Sequence, residues 1–373
     1  VPATTHNAST IETGSYSVQN DAPVRCTLLV PHLWWPLGAS DDVYRNLIVP
    51  ELETLLACAR RRSFAALGTE AWLCQAFGVE QQQDWPVAPL TLTIDGGDPG
   101  DAYWLRADPV HLRHHHDHLA LADSSVFTIS RDEAHALAAA LNQHFAAEGI
   151  QFGALHPARW YLRLEADPEI TTHALGDVAG SNVNLFLPTG KNALRWHRIW
   201  NEIQMVLHDH AVNEAREARG EPAINSVWLW GGGRKPAVPG HHFSAVWSDD
   251  ALGLALAANA DISAAPTAID GERWLRTLRG TSHPGDHHLI VLTQLTRAVR
   301  YGDNAAWRAG LAALNRQWFA PLLAGLRQRR IVRLALVVPD ERGCERYDLA
   351  WEDLFKFWRP ARPLAAYLPA LPQ

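Results

Sequence analysis

Several absences narrow the reading of this 373-residue sequence. No apolar run reaches the length needed to cross a bilayer, and no stretch has the pattern of a signal peptide. The expectation is a cytoplasmic protein with no membrane partner. Cysteine is scarce: Cys26, Cys58, Cys74 and Cys344 are the only four, and none forms a CxxC pair. That spacing argues against a zinc ribbon or a disulfide framework and leaves buried thiols in a reducing compartment. There is no excess of positive charge. The net charge of −7 argues against a general nucleic-acid footprint. No fixed-period repeat and no long low-complexity segment is visible.

What is present suits a large packed core. Residues are 47% hydrophobic and 20% charged, and the length fits one large α/β domain or a core with an inserted lobe. Residues 1–23 are polar and aperiodic, so they are expected to be a mobile tail. CTLLV (26–30) reads as a buried parallel strand. VPELETLLACARRR (49–62) has helical spacing, with Pro50 near its start. LTLTIDGGDPG (90–100) reads as a strand entering a turn, and residues 102–123 as a hairpin around a polar middle. Residues 130–149 read as a helix with a Ser130–Glu133 capping box and Gly149 at its end. FGALHPARWYLRLEA (152–166) reads as strand. Residues 193–220 read as a long amphipathic helix or a broken pair, with Leu194, Ile199, Ile203 and Leu207 on its stripe.

The second half repeats an α/β rhythm. Strands are expected at 224–230, 243–248, 288–295 and 331–338. A helix over 304–330 lines Leu311, Leu314, Trp318, Leu322 and Leu326 along one face. Trp228 and Trp230 alternate with Val227 and Leu229, so that strand is apolar on both faces and is expected at the centre of the sheet. Short apolar strands separated by helices predict a mostly parallel sheet covered on both faces. The core is assigned to 24–122 and 221–373, and 123–220 to an inserted α+β lobe.

Three stretches carry candidate chemistry. His111, His114, His115, His116 and His118 suit a transition metal by type, but a hairpin turn simply exposes polar residues to water. His208 and His210 are two apart on a helix and do not share a face. GGGRKP (231–236) is the strongest anion candidate: glycines let backbone N–H groups approach an anion, and Arg234 and Lys235 add permanent charge. It has neither P-loop nor dinucleotide-fingerprint spacing. A flexible strand exit with solvated cations is the bland alternative. The 16 tryptophans are scattered at apolar positions and read as core.

The stretch around that turn resembles archaeal-type cofactor-independent phosphoglycerate mutases, of the alkaline-phosphatase-like superfamily. Asn213, Arg216, Gly220, Ala223–Ile224–Asn225 and Gly231–Gly233 carry the resemblance. VPELETLLA, AYWLRADPVHL, NRQWFAPLL and LVVPDERG are similar to further family segments in the same order. The whole chain also resembles RpfE-type regulatory proteins of proteobacteria. The resemblance implies an alkaline-phosphatase-like core with an inserted lobe. In working enzymes of that kind it further implies two divalent metals held by Asp and His, and a Ser or Thr that carries the phosphoryl group.

This sequence departs from the pattern at the implied metal site. Pro31 and His32 follow the first strand where Asp-Gly is expected. The nucleophile position falls near Asp42, with Ser40 as a displaced candidate. Val291, Thr296 and Arg300 stand where His, Asp and His are expected, although Gly302 and Asp303 remain. Asp340 is kept, and Glu341 replaces a histidine. A guanidinium neither deprotonates nor ligates a metal. At about 4 Å it is repelled by a dication by roughly 2 kcal/mol even in water.

Two main readings follow. The first is a non-catalytic regulatory or phosphometabolite-binding protein without a metal. Asn213, Arg216, Gly231, Gly232, Gly233, Arg234, Lys235, Arg297 and Arg300 are its candidate anion-binding residues. The second is a metal-dependent phosphomutase or phosphatase with a relocated site. It would use Ser40 and Asp340 in catalysis and draw on Asp286, His287, His288, Asp303, Asp340 and Glu341 to hold Mn or Mg. A partner-binding scaffold is a third reading, and the sequence names no protein partner.

Overall fold

The apolar run at Cys26 forms the middle of a mainly parallel sheet. The computed structural model describes residues 22–36, 41–115, 118–239, 242–340, 343–356 and 358–368. Most of the expected N-terminal tail, together with His116, Ser40 and Glu341, lies outside them. In chain order the strands are β1 (Val24–Leu29), β2 (Arg60–Phe64), β3 (Tyr103–His115), β4 (His118–Ala122), β5 (Gln151–His156), β6 (Arg159–Leu164), β7 (Ile170–Thr171), β8 (Thr189–Gly190), β9 (Ser226–Gly233), β10 (Ala245–Trp247), β11 (Ser263–Ala265), β12 (His287–Val291), β13 (Ile331–Val338) and β14 (Cys344–Ala350). The helices are α1 (Pro50–Cys58), α2 (Thr69–Ala76), α3 (Val87–Ile94), α4 (Arg131–His144), α5 (Leu175–Val178), α6 (Ala193–His208), α7 (Ala211–Ala218), α8 (Ala251–Asn259), α9 (Gly271–Thr277), α10 (Thr296–Arg300), α11 (Asn304–Leu314) and α12 (Ala320–Arg327).

Seven strands form one sheet in the order β11-β10-β12-β1-β13-β14-β2. β1, β10, β11, β12 and β13 run parallel, with Cys26 opposite both His288 and Leu334. β14 and β2 close one edge antiparallel. Pleating sends alternate side chains to opposite faces. Cys26, Leu28 and Val30 meet a layer holding Trp307, Leu311, Leu314, Trp318, Leu322 and Leu326. Leu29, Leu289 and Val291 meet Leu73, Phe77, Leu252 and Leu256 on the other face. The expected α/β architecture, a mainly parallel sheet with helices on both faces, is therefore present. Each leucine so buried contributes roughly 2 kcal/mol of burial free energy. All four cysteines are buried free thiols.

A second, antiparallel sheet runs β4-β3-β6-β5, with β9 also paired to β3. One of its faces shares the layer of α2 and α8 through Val110, Leu112, Trp228 and Trp230. Its other face packs Tyr103, Leu105 and Trp160 against Leu137 and Leu141 of α4 and Ile199 and Ile203 of α6. Its strands β3, β4 and β9 come from outside 123–220.

Five local expectations need correction. Residues 90–94 belong to helix α3, not to a strand. Val87–Leu92 are buried all round, so no solvent-facing side marks the helical period. The hydroxyls of Thr91 and Thr93 donate to the carbonyls of Val87 (2.9 Å) and Leu90 (2.7 Å) inside that helix. The helix at 49–62 stops at Cys58, and Arg60–Phe64 become edge strand β2, where Arg61 donates to Glu345 at 2.7 Å. Residues 152–166 are a hairpin, β5–β6, not one strand. Strand β9 is apolar on both faces as expected, but it pairs antiparallel with β3 and not inside the parallel sheet. Leu194 is 84% exposed, and Trp196 and Trp200 take the buried stripe with Ile199, Ile203 and Leu207.

Other signals hold. The 102–123 hairpin forms, and the break in 193–220 separates α6 from α7. Ser130 Oγ accepts the Glu133 N–H at 3.2 Å while Glu133 accepts the Ser130 N–H at 2.8 Å, and Gly149 takes φ +67°. Between α11 and α12, Asn315–Phe319 form a π turn. Buried Asn315 accepts the Leu52 N–H there at 2.9 Å, serving a first-turn donor of α1 that Val49 cannot cap. Among the described residues, no helix is long and apolar enough to cross a membrane.

Candidate functional site

Open α/β sheets bind ligands beyond the carboxyl ends of their strands. Here that edge opens into a crevice of about 330 Å³. β1 delivers Pro31 and His32, β12 delivers Thr293 and the helix α10 bearing Thr296 and Arg300, and β13 delivers Asp340. Helices α2 and α8 add Glu70 and Asp250. The α5 segment closes the rim with Gly176 and Asp177. His32, Thr296, Arg300 and Asp340, which the resemblance groups at one site from distant parts of the chain, thus line one crevice. Val291 is the buried last residue of β12. Asp42 does not line the crevice; it is exposed and pairs with Arg45 at 2.9 Å.

Arg300 is the only cation among the described residues of that lining. Its Nη1 donates to Asp123 Oδ2 at 3.1 Å, tying α10 to the end of β4. Asp123 Oδ1 also accepts from the Tyr301 hydroxyl at 2.9 Å and the Ser125 N–H at 3.1 Å. Gly180 takes φ +82°, and a Cβ there would overlap the Arg300 carbonyl oxygen. Glycine therefore lets the two elements approach. Among the described residues, Arg300 Nε and Thr296 Oγ1 are buried without a hydrogen-bond partner. Burial, followed by the Arg300 charge, lowers the His32 imidazole to about 4, so it is neutral near pH 7. Burial, followed by the Asp250 carboxylate, raises Glu70, with Arg300 and Arg106 opposing. Among the described residues the lining includes four acidic side chains, Glu70, Asp177, Asp250 and Asp340, and an adjoining cavity that shares Glu70, Asp250 and Arg300 is also lined by Arg106 and Arg159.

The other candidates do not gather there. Asn213 Nδ2 donates to the carbonyls of Leu207 (2.7 Å) and Ile224 (3.0 Å), and its Oδ1 accepts the Ile224 N–H (2.7 Å). Buried Arg216 donates to the carbonyls of Pro222 and Thr128 and to Glu133. Both clamp the turn that leads into β9. Gly231–Gly233 are buried within β9. A Cβ would come within 3.0 Å of Val87 at Gly231, 2.7 Å of Leu105 at Gly232 and 2.7 Å of Pro86 at Gly233. Close packing accounts for these glycines. The Arg234 guanidinium donates to the carbonyls of Asp101 and Glu165, and Lys235 is exposed. Neither lines the crevice. Arg297 lies in a separate cleft beside it.

Asp286, His287 and His288 sit at the amino end of β12, the opposite edge of the sheet from Asp340. Five residues of strand put roughly 15 Å between those edges. His287 Nε2 meets Thr27 Oγ1 at 2.8 Å, and His288 Nδ1 accepts the Trp247 indole N–H at 3.2 Å. Asp303 caps α11 by accepting the Ala306 N–H at 2.9 Å. His111 Nδ1 bonds the Ala223 carbonyl oxygen at 2.8 Å, and His114 is exposed. Among the described residues, no three His, Cys, Asp or Glu side chains form a group that could hold a metal ion. Sequence reasoning passed over Glu70, Asp123 and Asp250. Asp250 alone left a signal, as an Asp immediately before the helix ALGLALAAN, where it accepts the Gly253 N–H at 3.0 Å.

No family model matches the chain. A stretch of 127 residues is 31% identical to the 2,3-bisphosphoglycerate-independent phosphoglycerate mutase of Methanosarcina mazei, covering 32% of this chain and 31% of that one. A second stretch, of 161 residues, is 27% identical to a protein named as a probable enzyme of the same kind in Geobacter sulfurreducens, covering 42% and 39%. Over part of its length, the chain is similar to cofactor-independent phosphoglycerate mutases. It spans about a third of the length of the curated relatives it matches. Among solved structures, the PH0037 protein from Pyrococcus horikoshii superposes with a TM-score of 0.53 over 88% of both chains at 12% identity, a likeness of fold alone. The cofactor-independent phosphoglycerate mutase of Thermoplasma acidophilum superposes with a TM-score of 0.46 over 94% of this chain and 96% of its own, at 13% identity.

Proposed function

We propose that this chain is a non-catalytic relative of the cofactor-independent phosphoglycerate mutases, with a regulatory role exerted through binding of a phosphorylated small molecule. One observation carries the reading: Arg300, tied to Asp123, occupies the crevice where a metal-ligating histidine is implied. A guanidinium offers a metal no lone pair, and Thr296 offers a hydroxyl where a carboxylate is implied. The described residues therefore do not fit a two-metal centre. The metal-dependent alternative has less support, because Asp286, His287 and His288 stand at the far edge of the sheet from Asp340.

The test is turnover. Purified full chain is assayed for 3-phosphoglycerate mutase activity and for hydrolysis of p-nitrophenyl phosphate, with Mn²⁺ and with Mg²⁺. The expected result is no rate above background with either metal, and no metal retained on elemental analysis. A Mn²⁺-dependent rate that disappears in Asp340→Ala would overturn the reading.

A further inference from the structure

Helix α10 has two working sides. Thr296 and Arg300 face the carboxylate-rich crevice. Arg297 and Tyr301, four residues apart and so on one face, line a second cleft of about 490 Å³. The opposite wall of that cleft is the β3–β4 hairpin, which contributes Arg113. Gln294 and the start of α11 complete it. This volume is in the range of small-molecule sites.

The cleft holds two guanidiniums, both exposed, and neither has an ion-pair partner among the described residues. The one carboxylate among the described residues of its lining, Asp303, is engaged in capping α11 through the Ala306 N–H at 2.9 Å. In a chain of net charge −7, two arginines that face one cavity without an ion-pair partner among the described residues are a local excess of positive charge.

We propose that this cleft is an anion site that takes the phosphate monoester of a small metabolite, with Arg113 and Arg297 as its cationic contacts. Paired guanidiniums match the oxygens of a phosphate in a way that isolated carboxylates or hydroxyls do not. Gln294 supplies a neutral amide donor at the rim. The site also touches the crevice mechanically: the Tyr301 hydroxyl in its wall donates to Asp123, which holds Arg300. The proposal rests on the binding role argued above, and not on the absence of turnover.

The experiment is isothermal titration of the full chain, with EDTA present, using glycerol 3-phosphate, inorganic phosphate and glycerol as probes. Wild type should bind glycerol 3-phosphate and not glycerol, with affinity falling as NaCl is raised. Arg113→Ala and Arg297→Ala should each weaken binding roughly tenfold, and the double variant should abolish it. Arg279→Ala, at an exposed position after α9, should bind as wild type. All of these side chains are exposed, so thermal melting should show the variants folded. Failure of wild type to bind either phosphate probe at millimolar concentration would overturn the site. So would binding that survives in the double variant. None of these outcomes bears on the turnover assay, so loss of this site leaves the non-catalytic reading standing.

Discussion

Removing Asp123 should destabilise the fold more than removing Arg300, although the two form one ion pair. Asp123 is 6% exposed at its side chain and Arg300 22%. The carboxylate is over-supplied with donors: the Arg300 guanidinium, the Tyr301 hydroxyl, and the N–H and hydroxyl of Ser125. Arg300→Met leaves three of these, so the buried charge keeps most of its solvation by protein. The cost is that of one hydrogen bond to a charged group, about 1–3 kcal/mol. Asp123→Ala is different. It strips the guanidinium of its carboxylate where Nε already lacks a partner, and it leaves the Tyr301 O–H without its carboxylate acceptor, although that oxygen still accepts the N–H of residue 123. Breaking a buried pair from that side costs about 3–5 kcal/mol. Urea denaturation followed by tryptophan fluorescence reads both variants on one scale. Equal losses in the two variants, or an Asp123→Ala loss below about 1 kcal/mol, would refute the account of Arg300 as a cation held in place by this carboxylate.

The remaining predictions concern packing and pH. Gly180→Ala should destabilise by more than about 1 kcal/mol on the same urea scale, since φ is +82° and the new Cβ meets the Arg300 carbonyl; an unchanged midpoint would contradict that approach. Asn315→Ala should cost about 1–3 kcal/mol by leaving the buried Leu52 N–H without its acceptor, and Asn315→Asp should not recover it, because the amide nitrogen it replaces donates to the Glu51 carboxylate; an unchanged urea midpoint in Asn315→Ala would contradict the account. His32 and His287 are both held to about 4 by burial first, with nearby arginine charge second, against an ordinary value of 6.5. The unfolded chain therefore takes up protons where the fold does not. Their contribution is complete above about pH 6.5 and is lost as pH falls towards 4. His32→Asn keeps the left-handed φ of +59° accessible, and with His287→Gln it should flatten that decline in the urea midpoint; an unaltered slope would sink the assignment.

The elements legible from sequence were those that face water on one side. The capping box of α4 and the 311–326 stripe announce themselves because polar and apolar positions alternate at the helical period. Helix α3 lacks that contrast. Surrounded by β9, β3 and α8, it presents apolar residues all round, and its Leu-Thr alternation mimics a strand. Arg60–Arg62 misled for the opposite reason. Basic residues at the end of α1 suit a helix dipole, but Glu345 and Asp348 of β14 offer charge partners across a sheet edge, and those partners lie about 285 residues further along the chain. No local window contains that information.

The same asymmetry divides the candidate site. Positions 32, 296, 300 and 340 are scattered in sequence yet meet at one crevice, because each follows the end of a parallel strand or lies on the helix just beyond one. The resemblance groups them, and the parallel strand order sets them at one end of the sheet. The glycine–cation stretch carried the more conspicuous local pattern and behaves otherwise. A glycine is required both where backbone cradles an anion and where another side chain comes within 3 Å, and the sequence is identical in the two cases. Val87, Leu105 and Pro86 decide it here, and each is far from Gly231–Gly233 along the chain. Arg113 was silent for a related reason, since a lone arginine on a strand acquires meaning only through what the partner wall supplies. The grouping that a resemblance supplies is thus readable before the fold is known, whereas the charge balance of a cavity is a property of its walls taken together. That is why the resemblance could group His32, Thr296, Arg300 and Asp340 while Glu70, Asp250 and the arginine-lined cleft on the other side of α10 stayed hidden.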